Sequence, residues 1–421
     1  MRQEQPLTDT EVGEIQQRML SELIAAVRKS NPFYQRKLGE MGGATASMRL
    51  ENLPLTTRAE VQQDQIDHPP YGTNLTEEAG RYVRLHQTSG STGIPLRWLD
   101  TAPSWDWWKR CWATIYNAAG RTPEDRVFVP FSFGPFIGFW GAFESAVAMG
   151  NFCLPAGGMS TPARLQYMVE NAATMVCCTP TYALRMAEVA KQRGIDLVGS
   201  AVRALIVAGE PGGSIPATRA RIESAWGARV FDHVGMTEMG PWGFECVESP
   251  GGVHVNESEF IAEVVDPEST KPVADGGVGE LVLTNLGRVA SPLIRYRTGD
   301  LVRLTRGRCA CGRWFARADG GILGRIDDMM IIRGNNVFPS TIEGIVREFE
   351  EIAEFRLEVD ETKSMTELRI LVEVCEGLPG PATLLTQAIR DRLHFSPVVV
   401  VVEPGSLPRF ELKANRVDRV K

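Results

Sequence analysis

The sequence predicts an α/β protein, with a large N-terminal domain of several subdomains at residues 1–324 and a small α+β domain at residues 325–421. Two observations carry this. Between Thr88 and Gly299, short apolar runs (VFVPF, ATMVCCT, RALIVAG, ELVLTN) alternate with helical stretches and glycine turns, the rhythm of buried strands joined by helices. After Gly324 the rhythm changes. GRIDDMMIIRGNNVFPS leads into a helix carrying Ile342, Ile345, Val346 and Phe349, then the strand-like runs FRLEVD and LRILVEV, a second helix and PVVVVVEP.

Taken in order, the chain opens on an amphipathic helix from Glu11 to Lys29, with Met19, Leu20, Leu23, Ile24 and Val27 at helical spacing and Thr8 or Thr10 as cap. The alternating α/β region follows. Adjacent charges behind a glycine at Arg325–Asp328 fit an exposed joint between the two domains. There is no internal repeat and no low-complexity tract.

The 421 residues have near-average apolar and charged content, enough for large cores. The net charge of -7 is spread through mixed-sign segments without a basic tract, so nucleic acid is not an expected partner. The polar start MRQEQPLTDTEVGEI lacks the features of a secretory signal, and no apolar run is long enough to span a bilayer, so the expectation is a cytoplasmic protein away from membranes. Eight irregularly spaced cysteines argue against a disulfide framework and leave buried thiols or metal ligands. Oligomeric state stays open, a homodimer included.

The segment His86–Pro95 packs hydroxyls and glycines (Thr88, Ser89, Gly90, Ser91, Thr92, Gly93) where a loop approaches an anion closely, which suits polyphosphate. A polar surface turn is the plain alternative, since the Lys-Ser/Thr of a Walker loop is missing. An aspartate after a tight Thr-Gly turn, such as Asp300, can accept hydrogen bonds from a ribose diol, and Glu238 in a glycine-rich turn can help hold Mg²⁺ against phosphates.

QTSGSTGIP resembles the phosphate loop of the adenylate-forming superfamily of acyl-coenzyme A synthetases, peptide-synthetase adenylation domains and luciferase. Its companions arrive in that family's order. Ala208-Gly209-Glu210-Pro211 resembles the adenine-contacting turn, Val234-Gly235-Met236-Thr237-Glu238 the magnesium and nucleotide motif, and Tyr296-Arg297-Thr298-Gly299-Asp300 the ribose motif. Asp232 and Arg325 join the implied nucleotide set, and Gly324–Asp328 is similar to the hinge, centred on Asp327, about which the small domain turns. LPRFELKANR resembles the final motif, which makes Lys413 the implied catalytic lysine beside Glu238 and Thr237. The run IIRGNNVFPSTIE is most similar to phenylacetate–coenzyme A ligases. The chain departs from the pattern at Ile94 and Leu96, where related ligases often have a lysine, with Arg97 one step later. It departs also at Val234, in place of an adenine-stacking tyrosine, and at Leu412, in place of a glycine.

Cys309-x-Cys311 with Cys246 and His254 makes a candidate Cys₃His set, against a default of buried reduced thiols. The phenylacetate–coenzyme A ligase branch looks similar here, with FEC…HV and CxCGR segments that can hold zinc. A closed four-ligand set implies structural Zn²⁺. Cys111, Cys153, Cys177, Cys178 and Cys375 read as core.

Trp105, Trp108 and Trp112 share a helical face and read as packing. In PFSFGPFIGFWGAF the glycines and proline break any period, which suits a loop lining a cavity. The resemblance makes Phe131, Phe133, Phe136 and Trp140, with Gly235 and Met236, the implied acid pocket, whose flat apolar walls favour an aryl or arylacetic acid.

The implied reaction joins the acid to MgATP as acyl-AMP with release of pyrophosphate. Coenzyme A then takes the acyl group after the small domain turns, with the Arg333-Gly334-Asn335 loop near the thiol. A non-coenzyme A acceptor (amine, hydroxyl, carrier thiol or nitrite) and a catalytically silent nucleotide-binding homologue are the alternatives.

Overall fold

The computed structural model describes residues 6–39, 49–88, 94–362, 366–375, 378, 380–411 and 413–420. Ser89, Gly90, Ser91, Thr92, Gly93 and Leu412 lie outside the described residues. The expected α/β architecture is borne out.

The first helix runs Asp9–Ser30. Thr8 caps it: its Oγ1 accepts from Glu11 N, and Glu11 Oε2 accepts from Thr8 N at 2.8 Å, satisfying two of the donors a helix start leaves unpaired. Leu23 and Val27 are its buried stripe.

A 12-stranded sheet organises the large domain. At one end Phe152–Pro155, Arg126–Val129, Met175–Cys178, Ala204–Ala208 and Arg229–Met236 lie parallel in that order. It continues antiparallel through Gly240–Cys246 and Ser249–Val255, then Arg317–Asp319, Tyr296–Thr305, Val278–Asn285 and Phe260–Val265. The central parallel strands Met175–Cys178 and Ala204–Ala208 are apolar and buried throughout because both their faces are covered. Alternate residues show it: Cys177, Ala204 and Ile206 enter the larger core with the tryptophan helix Ala102–Ala118, whereas Cys178, Leu205 and Val207 enter a second core with Tyr182 and Trp226.

The C-terminal segment builds a separate four-stranded sheet in the order Val398–Val402, Glu367–Val374, Ile352–Asp360, Val417–Val420. Helices Pro339–Val346 and Ala382–Leu393 cover it, and its core extends from Met330 to Phe395.

Two cysteines depart from the core reading. Cys153, on the edge strand, and Cys375, just past the end of Glu367–Val374, are only partly buried, and each thiol points to a backbone carbonyl, of Asn151 at 3.5 Å and Glu350 at 3.7 Å. An edge strand and a strand end have no neighbour to complete the burial.

Candidate active site

The parallel strands end on one side of the sheet, and ligands of open α/β sheets bind outside such carboxyl ends. Here the ends carry Thr179, then Gly209–Pro211, then Gly235–Glu238. Gly209 has φ +98°, a conformation open to glycine, and a Cβ there would stand 3.4 Å from Lys413 Cε. Lys413, far along the chain, therefore reaches this cleft.

Glu210 explains how. Its Oε1 accepts from Thr181 N at 2.9 Å, in the first turn of helix Pro180–Arg193, and its Oε2 accepts from Ala414 N at 2.7 Å. One carboxylate thus caps a helix of the large domain and holds the lysine segment of the small one. Nearby, Arg164 pairs with Glu411 at 3.3 Å, and Arg416 reaches Thr181 Oγ1 at 3.3 Å while pairing with Glu354 at 2.8 Å. The Lys413 ammonium keeps access to water but stands in a crowded cleft; burial lowers its pKa, and Glu210, Glu238 and Asp300 work against that.

Glu238 is buried, with Arg58 Nη1 at 3.2 Å and the Tyr296 hydroxyl donating at 3.4 Å. The backbone of this turn is held from below. Arg288 Nη1 donates to Thr237 O at 2.7 Å and to Glu238 O at 3.1 Å, while its Nε and Nη2 grip Asp100 at 2.8 and 2.5 Å. Both partners of that pair are fully buried, and the guanidinium lies over the Trp98 and Trp108 rings at 5.6 and 5.2 Å. Asp100 sits on Arg97–Thr101, the second strand of the hairpin whose connecting segment resembles a phosphate loop, so the pair ties that hairpin to the Glu238 turn. Thr88 closes the base of the loop: Leu96 O accepts from its N at 2.9 Å and its Oγ1 accepts from Leu96 N at 3.0 Å.

Asp300 is buried and accepts from Arg325 Nη1 at 2.7 Å; burial raises its pKa to about 6 against that pairing. Asp327 is exposed on a short turn between the two cores. Asp232 faces away from the turn, accepting from the Ser214 hydroxyl beside Gly213 and Gly321. Arg97 spends its guanidinium on Pro70 O at 2.9 Å.

Phe131, Phe133 and Trp140 come together with Phe139 and Phe143; the Phe133–Trp140 centroids are 4.6 Å apart. Their loop abuts the hairpin of Tyr82–Gln87 and Arg97–Thr101, since Pro135 O accepts from Gln87 N at 2.8 Å. Phe136 departs from the expectation: at 38% exposed it points outward and makes no ring contact among the described residues, because the bend at Pro135 turns it away from the cluster. Gly235 and Met236 are accessible at the cleft, and a Cβ on Gly235 would lie 3.0 Å from Gly240 O.

Away from this cleft, Cys246, His254, Cys309 and Cys311 bring their ligand atoms within 4.8 Å of one another. The Cys246–Cys309 sulfurs are 3.9 Å apart and Cys311 Sγ is 3.7 Å from His254 Nε2. Tetrahedral Zn–S bonds of about 2.3 Å put neighbouring sulfurs about 3.8 Å apart, so the spacing suits zinc. His254 Nδ1 lies 3.1 Å from Phe315 O, which places its proton there and leaves Nε2 free as a ligand.

Sequence reading missed Arg58, Asp100, Arg164 and Arg288. None belongs to a motif, and only the fold shows what each one touches.

A sheet with its cleft at the strand ends, closed by a small domain that delivers a lysine, defines the class of AMP-binding enzymes. Residues 48–288 match the AMP-binding enzyme family and residues 334–419 its C-terminal domain. The chain belongs to this adenylate-forming family, in its phenylacetate–coenzyme A ligase branch. It is 35% identical over 405 residues to phenylacetate–coenzyme A ligase of Escherichia coli, covering 92% of this chain and 90% of that one. The Thermus thermophilus phenylacetate–coenzyme A ligase is 31% identical over 94% of each chain. Among solved structures, 2-hydroxyisobutyryl-CoA ligase in its postadenylation state with 2-HIB-AMP superposes with a TM-score of 0.93 at 28% identity, covering 99% of this chain and 91% of that one. The same ligase with 2-HIB-AMP and CoA in the thioesterification state gives 0.74 over the same shares. The two domains here are therefore arranged as in the postadenylation structure. Among the described residues, no helix is long and apolar enough to cross a membrane.

Proposed function

We propose that this protein activates an aromatic carboxylic acid with ATP as its acyl-AMP, releasing pyrophosphate, and then passes the acyl group to coenzyme A. The observation that carries the reading is the convergence of Lys413, Gly209, Glu210, Glu238 and Asp300 on one cleft. An acid carboxylate and the α-phosphate of ATP repel each other. An ammonium aimed between them offsets that repulsion and the charge that grows in the transition state. Asp300, oriented by Arg325, accepts the ribose hydroxyls. Glu238 would hold Mg²⁺, whose chemistry is to neutralise the departing pyrophosphate.

The second step needs a different floor for the cleft. Rotation about Asp327 would withdraw Lys413 and bring up the turn at Arg333–Gly334, whose φ values of +49° and +83° hold it tightly folded. Support comes from 2-hydroxyisobutyryl-CoA ligase, whose two states differ in their likeness to this chain. The aromatic lining of Phe131, Phe133 and Trp140 supports an aryl or arylacetic acid, as do the phenylacetate–coenzyme A ligase relatives. Cys246, His254, Cys309 and Cys311 would hold a structural Zn²⁺ with no open position for substrate.

Lys413→Ala tests the division of labour. Pyrophosphate release should vanish, while thioester formation from supplied acyl-AMP and coenzyme A persists. Equal loss of both steps would defeat it.

A further inference from the structure

We propose that His233 makes the acid pocket select acids whose side chain carries a hydrogen-bond donor, a hydroxyl or an amine. The inference rests on the acid-activation reading above and names the feature of the acid that the pocket recognises.

His233 lies on the strand Arg229–Met236, two residues before Gly235. Successive side chains of a strand point to opposite faces. Asp232 takes the face of Ser214, and His233 takes the other, where its ring meets Trp112 at 4.5 Å with an interplanar angle of 63°. Trp112 in turn packs on Phe139, and Phe139 on Phe131, at 6.3 and 5.7 Å, so the imidazole belongs to the aromatic wall built for the acid. Its Cε1 edge stands 3.5 Å from where a Cβ of Gly235 would be, on the side of the accessible Gly235.

The chemistry of the ring follows from its two nitrogens. Nδ1 is 2.7 Å from Gly243 O, and a carbonyl only accepts, so the proton sits on Nδ1. Burial pushes the imidazole pKa down to about 4, so the ring is neutral near pH 7. Nε2 is then a lone-pair acceptor with no hydrogen-bond partner among the described residues, and it is not closed off from solvent, although the residue is only 5% exposed. An acceptor open beside the accessible Gly235 is met by water until an acid enters, and an acid that displaces that water without offering a donor forfeits the hydrogen bond. A neutral acceptor in an apolar pocket pairs with O–H or N–H and gains nothing from a methyl, an ether or a second carboxylate. The pocket therefore distinguishes a hydroxyl or amino acid side chain from its methyl isostere.

The test follows pyrophosphate release by the full-length protein with MgATP and matched aryl acids bearing hydroxyl, amino or methyl at each ring position. A short aliphatic hydroxy acid and its deoxy analogue complete the panel. At the position that reaches His233, kcat/KM for the donor-bearing acid should exceed that for the methyl isostere about 10- to 100-fold. His233→Leu should bring the ratio to about one or reverse it while the methyl acid is still turned over, and His233→Gln, which keeps an acceptor, should restore part of it. The wild-type comparison alone decides the matter if the variants do not fold. Ratios near one at every position, with pyrophosphate released, would overturn the role of His233 and leave acid activation standing. A donor preference confined to the aliphatic pair would uphold His233 and remove the ring from the proposed substrate. No pyrophosphate from any acid would overturn both readings.

Discussion

Removing one partner of the Asp100–Arg288 pair should be among the most damaging single changes in the large domain. Both side chains are fully buried, so Arg288→Met leaves an unpaired carboxylate in the core and Asp100→Asn an uncompensated guanidinium between Trp98 and Trp108. Breaking a buried pair from one side costs about 3–5 kcal/mol. Arg288→Met should fall at the upper end, because it also deprives the Thr237 and Glu238 carbonyls of their donor. The double variant D100N/R288M buries no net charge, so its destabilisation should fall short of the sum by about 2–3 kcal/mol. Urea unfolding followed by tryptophan fluorescence reads all four corners of this cycle, since two indoles flank the guanidinium. Arg288→Met should also raise the Mg²⁺ concentration needed for half-maximal pyrophosphate release. Single variants within about 1 kcal/mol of wild type, with additive effects, would refute the argument.

Glu210→Ala removes the acceptor of two backbone donors, one in each domain, and should slow acyl-AMP formation about 10- to 100-fold while sparing thioester formation from supplied acyl-AMP; loss of both in step would contradict the latch. The raised pKa of Asp300, about 6 against an ordinary 3.8, means the native protein holds an extra proton between those values. That contribution to stability is present at low pH and lost as pH rises through 6, so wild type should lose up to about 3 kcal/mol relative to Asp300→Asn between pH 4 and 7. ATP affinity, which needs the ionised acceptor, should rise over the same window in wild type and stay flat in the variant; titration calorimetry at stepped pH checks both signs. Elemental analysis should find one zinc per chain, and Cys311→Ser should lose it and lower Tm while pyrophosphate release at 25 °C persists. Retention of full stability without zinc would contradict a structural role.

What was legible in the sequence was local. Gly209, Glu238, Asp300 and Lys413 stand in short strings whose residue types already state a chemistry. Cys246, His254, Cys309 and Cys311 are soft or borderline ligands, conspicuous even with the first and last 65 positions apart. What was not legible was pairing. Asp100 and Arg288 lie 188 positions apart, and nothing near either names the other. Glu210 stood out as part of an adenine turn, yet its contact with Ala414 spans 204 positions and exists only because the small domain closes over the sheet. Phe136 shared the composition of its aromatic neighbours, but one bend at a proline decided which way it faced. His233 preceded a recognised motif by one residue, and only the strand's alternation shows that it belongs to the acid side of the cleft.

The central claim is tested most directly by incubating the protein with MgATP and a panel of aryl and arylacetic acids, with and without coenzyme A, and following pyrophosphate and acyl products by mass spectrometry. The account predicts pyrophosphate and acyl-AMP from the preferred acid, and conversion of that acyl-AMP to acyl–coenzyme A when the thiol is present. Acyl-AMP that accumulates untouched by coenzyme A would contradict the second half-reaction and point to another acceptor. ATP binding without pyrophosphate from any acid would contradict the enzyme altogether.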